Sequence, residues 1–191
     1  MNLSTRRINI FIYVIFFIVS TFLPLISFQG YSIITNTTSH LGAQGSPYAW
    51  VMNLTFILLG LTSLRIFIKT NIRFHQVIGS IFSISLLLTG IFRHSALIEG
   101  YSSIIIEDTL HSIFATTTGT SFVLLAFGHG FISSSKQRIS GLLLAGIATV
   151  LSLTMMFFPL YMGLFQRIMI FSSFGWIFFY MKPPMDKQFT Q

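Results

Sequence analysis

Asp108 and His111 stand three residues apart, a spacing that puts a carboxylate and an imidazole on one face of a helix. Such a pair can act as acid and base or as two hydrogen-bonding partners, because imidazole titrates near neutral pH. Gln166 and Arg167 add an amide and a guanidinium, whose fork suits phosphate or carboxylate. Ser39-His40, Arg93-His94 and Glu107 supply further polar groups. The candidate site assigns catalysis to His111 and Asp108. Contact with an anionic ligand or lipid headgroup falls to Arg167, Arg93, Gln166, His40, Ser39, His94 and Glu107.

Other readings compete for these residues. In a structural rim, Arg93 and Arg167 neutralise Glu107 and Asp108, and the histidines tie loops to helix ends. In a metal site, His40, His94, Asp108 and His111 form an adequate zinc set. No H-x-x-x-H or H-E-x-x-H fixes that geometry, and no metal is expected. In a two-haem cytochrome, His75 and His94 would face His111 and His129. The separations of 19 and 18 residues amount to ~28 Å and ~27 Å of helix, which puts all four imidazoles at the interfaces. His75 and His94 also differ by about 100° around their helix. No cofactor is expected.

The elements that must position these groups are membrane spans. The chain has 191 residues, 53% hydrophobic and 8% charged, against roughly 25% charged in a soluble domain. So few charges cannot cover a globular surface, so lipid is the natural solvent. The net charge of +7 is dispersed singly and in pairs at the ends of apolar runs. A nucleic-acid partner would require one basic face, and none is expected. The absence of cysteine excludes disulfides, Cys-ligated zinc and iron–sulfur clusters.

A ~30 Å hydrocarbon core needs about 20 apolar helical residues. Six stretches qualify, at about 8–28, 48–68, 74–93, 109–132, 139–161 and 163–181. The expected fold is therefore all-α, a six-transmembrane-helix bundle in a single membrane domain over 1–191. The apolar run after Arg6-Arg7 is too long for a signal peptide and reads as a retained first span. Pro24 should kink it near the outer interface.

Nine of the eleven Lys and Arg residues, namely Arg6, Arg7, Arg65, Lys69, Arg73, Lys136, Arg138, Lys182 and Lys187, fall on the side of the termini. Cations are retained on the cytoplasmic side, so both termini should be cytoplasmic, in a prokaryotic inner membrane or plasma membrane. The longer loops, 29–47 and 94–108, then lie outside with Glu99, Glu107 and Asp108. Membrane lipids are the expected partners, and a membrane-protein partner or a second copy is compatible with this arrangement. The small and hydroxyl residues Thr116–Ser121 should make span four central, bonding across to its neighbours. Gly141, Ala145 and Thr149 should do the same on span five. Tyr48, Trp50, Trp176 and Tyr180 read as interfacial anchors.

Three stretches, in order, resemble a six-helix membrane family known as domain of unknown function 998. They are Thr38-Ser-His-Leu-Gly-Ala with Pro47, Trp50 and Asn53; Thr89-Gly-Ile-Phe92 followed by Asp108, His111 and Ala115; and Gly163-Leu-Phe-Gln-Arg167 with Trp176. The resemblance implies a common role for His111 and Arg167. The chain departs from the family pattern at His40, where an acid is usual, and at Arg93, where proline is usual. The Ser-x-Leu-Gly pattern also resembles, more distantly, a eukaryotic family that includes autophagy modulators and a GPI-lipid remodelling factor, which implies a connection to lipid. A non-catalytic scaffold or regulatory component is the alternative to a binding or catalytic pocket.

Overall fold

The computed structural model describes residues 3–182, so Lys187 and the rest of the tail after Lys182 lie outside the described residues. The helices are α1 (Leu3–Phe22), the single turn α2 (Thr38–Leu41), α3 (Ala49–Phe67), α4 (Arg73–Ile91), α5 (Ile105–Ile132), α6 (Ser135–Phe157) and α7 (Met162–Gly175). There is no strand among the described residues. Six helical segments are long and apolar enough to cross a membrane. The chain is thus a multi-pass membrane protein, with residues 3 and 182 at the same end of the bundle. That end is called the inner end below.

Helix boundaries follow local chemistry. Pro24 lacks a backbone N–H, and the outcome is a stop rather than a kink: α1 ends at Phe22 and Leu23–Ile26 continues as a 3₁₀ turn. α5 starts at Ile105, so Glu107 and Asp108 belong to its first turn. Carboxylates are favoured there by the unsatisfied N–H groups of a helix N-terminus. α7 runs into one π-helical turn, Trp176–Tyr180.

Each spanning helix packs on the next in the order α1, α3, α4, α5, α6, α7, and α7 returns to α1. The buried positions of α1 (Asn9, Ile12, Phe16 and Ser20) recur at helical spacing and form one inward stripe. Phe174 of α7 sits at the centre of the ring. Its ring centroid is 6.0 Å from Phe16, 5.9 Å from Phe82 and 5.4 Å from Phe178. Lipid tails are as apolar as these side chains, so the bundle is held by close packing rather than by escape from water.

α3 and α4, not the fourth span, occupy the core. Half of the membrane window of α3 is buried, against 28% of that of α5. Among the described residues the α5 hydroxyls do not bond across helices: Thr117 and Thr118 donate to their own helix at Ile113 O and Phe114 O, 2.8 Å each. On α6 the small-residue expectation holds at Gly141 and Ala145, which are buried, whereas Thr149 bonds back to Ala145 O. Trp176 is buried and donates to Ser140 Oγ at 3.2 Å, so it is a core residue and not an interfacial anchor.

The close approach of α3 to α4 depends on Gly60. A Cβ there would lie 2.7 Å from the backbone oxygen of Ser83 and 2.9 Å from Leu87 N. Gly146, inside α6, faces open space. Gly60→Ala should therefore cost about 1–3 kcal/mol by overpacking, while Gly146→Ala should be neutral or gain up to about 1 kcal/mol from helix propensity. Thermal unfolding in detergent should show opposite or clearly unequal shifts for the two variants. Equal shifts would contradict this packing.

Candidate functional site

All the predicted site residues gather at the outer end, where the two long loops cover the bundle. Arg167, one turn into α7, is buried. Its Nη1 reaches three carbonyl oxygens, Ile33 at 2.9 Å, Asn36 at 2.8 Å and Gly163 at 3.1 Å. Its Nη2 donates to Tyr31 Oη at 2.6 Å, and that hydroxyl donates onward to Thr37 O at 2.8 Å. Burial raises the Tyr31 phenol above its ordinary range despite the nearby guanidinium, so it stays protonated and can donate.

Among the described residues Arg167 thus contacts no carboxylate, and it is buried. Its guanidinium is spent on backbone oxygens of the first outer loop, and only its Nε lacks a partner. The neighbouring residues complete the clamp. Gln166 Oε1 accepts from both the N–H and the hydroxyl of Thr38, at 2.8 Å each. Leu164 N–H donates to Ile34 O at 3.0 Å. Gly163 is required because a Cβ there would collide with the carbonyls of Ile33 and Asn36.

The clamped loop places α2 and its histidine. Asn36 donates from Nδ2 to His40 Nδ1 at 3.1 Å, while its Oδ1 accepts from Ser32 N–H at 2.9 Å. This fixes the amide and leaves the His40 proton on Nε2. Burial first, then the imidazoles of His94 and His111 and the Arg167 charge, push His40 down to about 4, so it is neutral near pH 7. Asn53 donates to Gly42 O at 3.0 Å. Gln44 ties this loop to the second one. It accepts from Ile104 N–H at 2.7 Å, donates from Nε2 to Ile104 O and Arg93 O, and sends its backbone N–H to His94 O at 2.9 Å.

The second loop carries the ion pair that the sequence led us to expect. Arg93 holds Glu107 through Nε at 2.9 Å and Nη2 at 3.1 Å. Asp108 accepts from Ser95 N–H at 2.7 Å and lies 3.9 Å from His94 Nδ1. His111 is oriented by carbonyls instead: its Nδ1 donates to Phe92 O at 2.8 Å and reaches Thr89 O at 3.1 Å. Asp108 and His111 are thus separately engaged and make no hydrogen bond to each other. Their shared helix face does not bring the two groups into the hydrogen-bond contact that the spacing led us to expect.

His40, His94 and His111 form a row, with ring centroids 4.9 Å and 5.5 Å apart. Among the described residues no three His, Asp or Glu side chains are grouped to hold a metal ion, so the zinc reading of His40, His94, Asp108 and His111 finds no geometry. At the inner end His129 Nδ1 and His75 Nε2 are in direct contact at 3.1 Å, closer than the about 4 Å between two imidazole nitrogens on opposite sides of one metal, twice the ~2 Å metal–nitrogen bond. The rim thus contains Tyr31, Asn36 and Gln44 as working residues that sequence reasoning passed over.

Beneath the rim lies a cavity of about 100 Å³. Phe56, Phe82, Leu86 and Phe122 form its buried floor, and Ala115, Thr118 and Gly119 of α5 face Gln166, Met169 and Ile170 of α7 across its edge. These edge residues are only half-buried, and α6 buries only Gly141, Ala145 and Ala148, all in its inner half or middle. The cavity therefore opens toward the membrane between α5 and α7. The hydroxyls of Thr89, Thr118 and Ser173 on its wall are turned onto their own helices. Ser39 Oγ and Gln166 Nε2, at its outer end, have no hydrogen-bond partner among the described residues.

If Arg167 serves backbone carbonyls, charge alone cannot replace it, because a lysine lacks the fork that reaches several acceptors. Arg167→Lys should destabilise the protein by about 3 kcal/mol, the scale of one or two buried acceptors left unpaired. The check is the melting temperature in detergent, and an unchanged value would contradict the clamp.

The model of a family described as protein of unknown function (DUF998) matches residues 11–181. Neither the curated proteins nor the solved structures contain a match. The matched region takes in the three loop-holding stretches, Thr38–Asn53, Thr89–His111 and Gly163–Arg167, and the chain, with its six apolar spans, belongs to this family.

Proposed function

We propose that this protein binds a single amphiphile of the outer leaflet. One hydrocarbon chain enters the cavity between α5 and α7, and the acceptor oxygens of its ester or headgroup meet Gln166 Nε2 and Ser39 Oγ. The observation that carries this reading is the distribution of unengaged polarity. The wall is apolar or has its hydroxyls occupied, and the free donors stand together at the outer end. A site of that form matches a molecule with an apolar tail and an acceptor-bearing head.

In this reading the predicted catalytic residues act by position. His111 ties α5 to the last turn of α4, and Asp108 holds Ser95 in the second loop. Binding, not chemistry on the lipid, is the role that these contacts support. The eight described Lys and Arg residues of the inner side, Arg6 to Lys182, face the cytosol of a plasma or prokaryotic inner membrane.

The test uses the full chain in lipid nanodiscs containing a phospholipid with a photoactivatable acyl chain. Cross-links should concentrate on residues 115–122 and 166–174. Gly119 has open space in front of it, so Gly119→Phe should fill the cavity and lower those cross-links about tenfold, a change of 1.4 kcal/mol, without lowering the melting temperature. Cross-links spread evenly over the exposed faces of α1 and α6, and unchanged in Gly119→Phe, would overturn the proposal in favour of a scaffold that merely sits in lipid.

A further inference from the structure

Threonines inside a helix commonly turn the hydroxyl onto the carbonyl four residues back. Thr55, Thr89, Thr118 and Thr149 all do so here, at 2.8–2.9 Å. Thr62 of α3 does not. It is 9% exposed, and its hydroxyl has no hydrogen-bond partner among the described residues. It lines a groove of about 190 Å³ between α1 and α3 at the inner end, together with Thr5, Asn9 and Arg65. Thr62 and Arg65 are three residues apart and so project from the same face of α3.

Among the described residues no carboxylate pairs with Arg65. The acids among the described residues are Glu99, Glu107 and Asp108, all at the outer end, and the ion pairs there are Arg93–Glu107 and His94–Asp108. The groove thus combines an exposed guanidinium, a nearly buried hydroxyl donor one turn deeper and apolar flanks from Ile8, Leu61 and Ile66. A guanidinium fork beside a hydroxyl is a phosphate-recognising set. Its depth, at the boundary between the apolar span and the basic inner end, is that of a lipid headgroup.

We infer that this groove is a specific site for the phosphodiester of an anionic inner-leaflet phospholipid. Arg65 takes the phosphate oxygens, Thr62 donates a hydrogen bond from below, and the acyl chains lie along the apolar faces of α1 and α3. The site is independent of the outer cavity, being on other helices and in the other leaflet.

Native mass spectrometry of the full chain in detergent, titrated with phosphatidylglycerol, tests this. Thr62→Val removes the hydroxyl and keeps the shape, Arg65→Gln removes the charge, and Lys69→Gln removes a cation at the same end outside the groove. The first phosphatidylglycerol adduct should weaken about tenfold in Thr62→Val and in Arg65→Gln, about 1.4 kcal/mol each, and stay within about twofold in Lys69→Gln. Thr62→Ser, which keeps the donor, should bind as the parent does and controls for a folding defect in the valine variant. Equal weakening by Lys69→Gln and Arg65→Gln would overturn the site in favour of diffuse charge attraction, as would full binding by Thr62→Val. Inorganic phosphate bound with the same dependence on Thr62 would replace the lipid by a soluble phosphate.

Discussion

A buried guanidinium spent on backbone carbonyls organises the outer half of this protein. Irregular backbone near a bilayer must find its hydrogen bonds within the protein, because lipid offers none. The segment from Ser27 to Tyr48 is such a backbone, broken only by the one turn of α2. Arg167 and Tyr31 satisfy Ile33, Asn36 and Thr37 from below, Gln166 caps the start of α2, and Gln44 hands the loop on to its neighbour. All of these contacts but Tyr31–Thr37 join elements far apart in the chain. The outer rim is therefore closed by polar bonds, whereas the centre beneath it is closed by packed rings.

In the proposed reading, this division sets where a ligand enters. Where polar groups are mutually satisfied, as at Arg93–Glu107 and at Asp108 with Ser95, nothing is left to recognise a partner. Where they are not, at Gln166 Nε2 and Ser39 Oγ outside and at Thr62 Oγ and Arg65 inside, the unengaged groups open on space bordered by apolar side chains. Both places pair a polar head region with a hydrocarbon flank, one in each leaflet. The outer one keeps Gln166 and Ser39 from the residues first singled out, and neither relies on Asp108, His111 or Arg167.

The six spans were legible because length and apolarity alone identify them, and the cluster at the outer rim followed from putting both long loops on one side. Boundaries were harder where charge misled: the fourth span was drawn from about 109, yet Glu107 and Asp108 already form the first turn of α5. The partners of Arg167 were not legible, since a carbonyl oxygen has no letter and every residue carries one. Asp108 looked like the natural mate for a buried cation, but Ser95 N–H took it first. Gln44, Tyr31 and Asn36 gave no periodic signal because loop residues follow no helical repeat. The Thr116–Ser121 run misplaced the core for a related reason: hydroxyls that could bridge helices were free to bond their own backbone instead.

Amide hydrogen exchange of the full chain in nanodiscs tests the clamp most directly. The N–H groups of Asn36, Thr38, Gln44 and Leu164 are all bonded across or within the clamped loop, to Ser32 O, Gln166 Oε1, His94 O and Ile34 O. They should exchange as slowly as amides in the interior of α3, while the exposed turn at Glu99 and Gly100 exchanges at once. Exchange of the four at the rate of that turn would mean that the first outer loop is not held down, and the account built on Arg167 would fail.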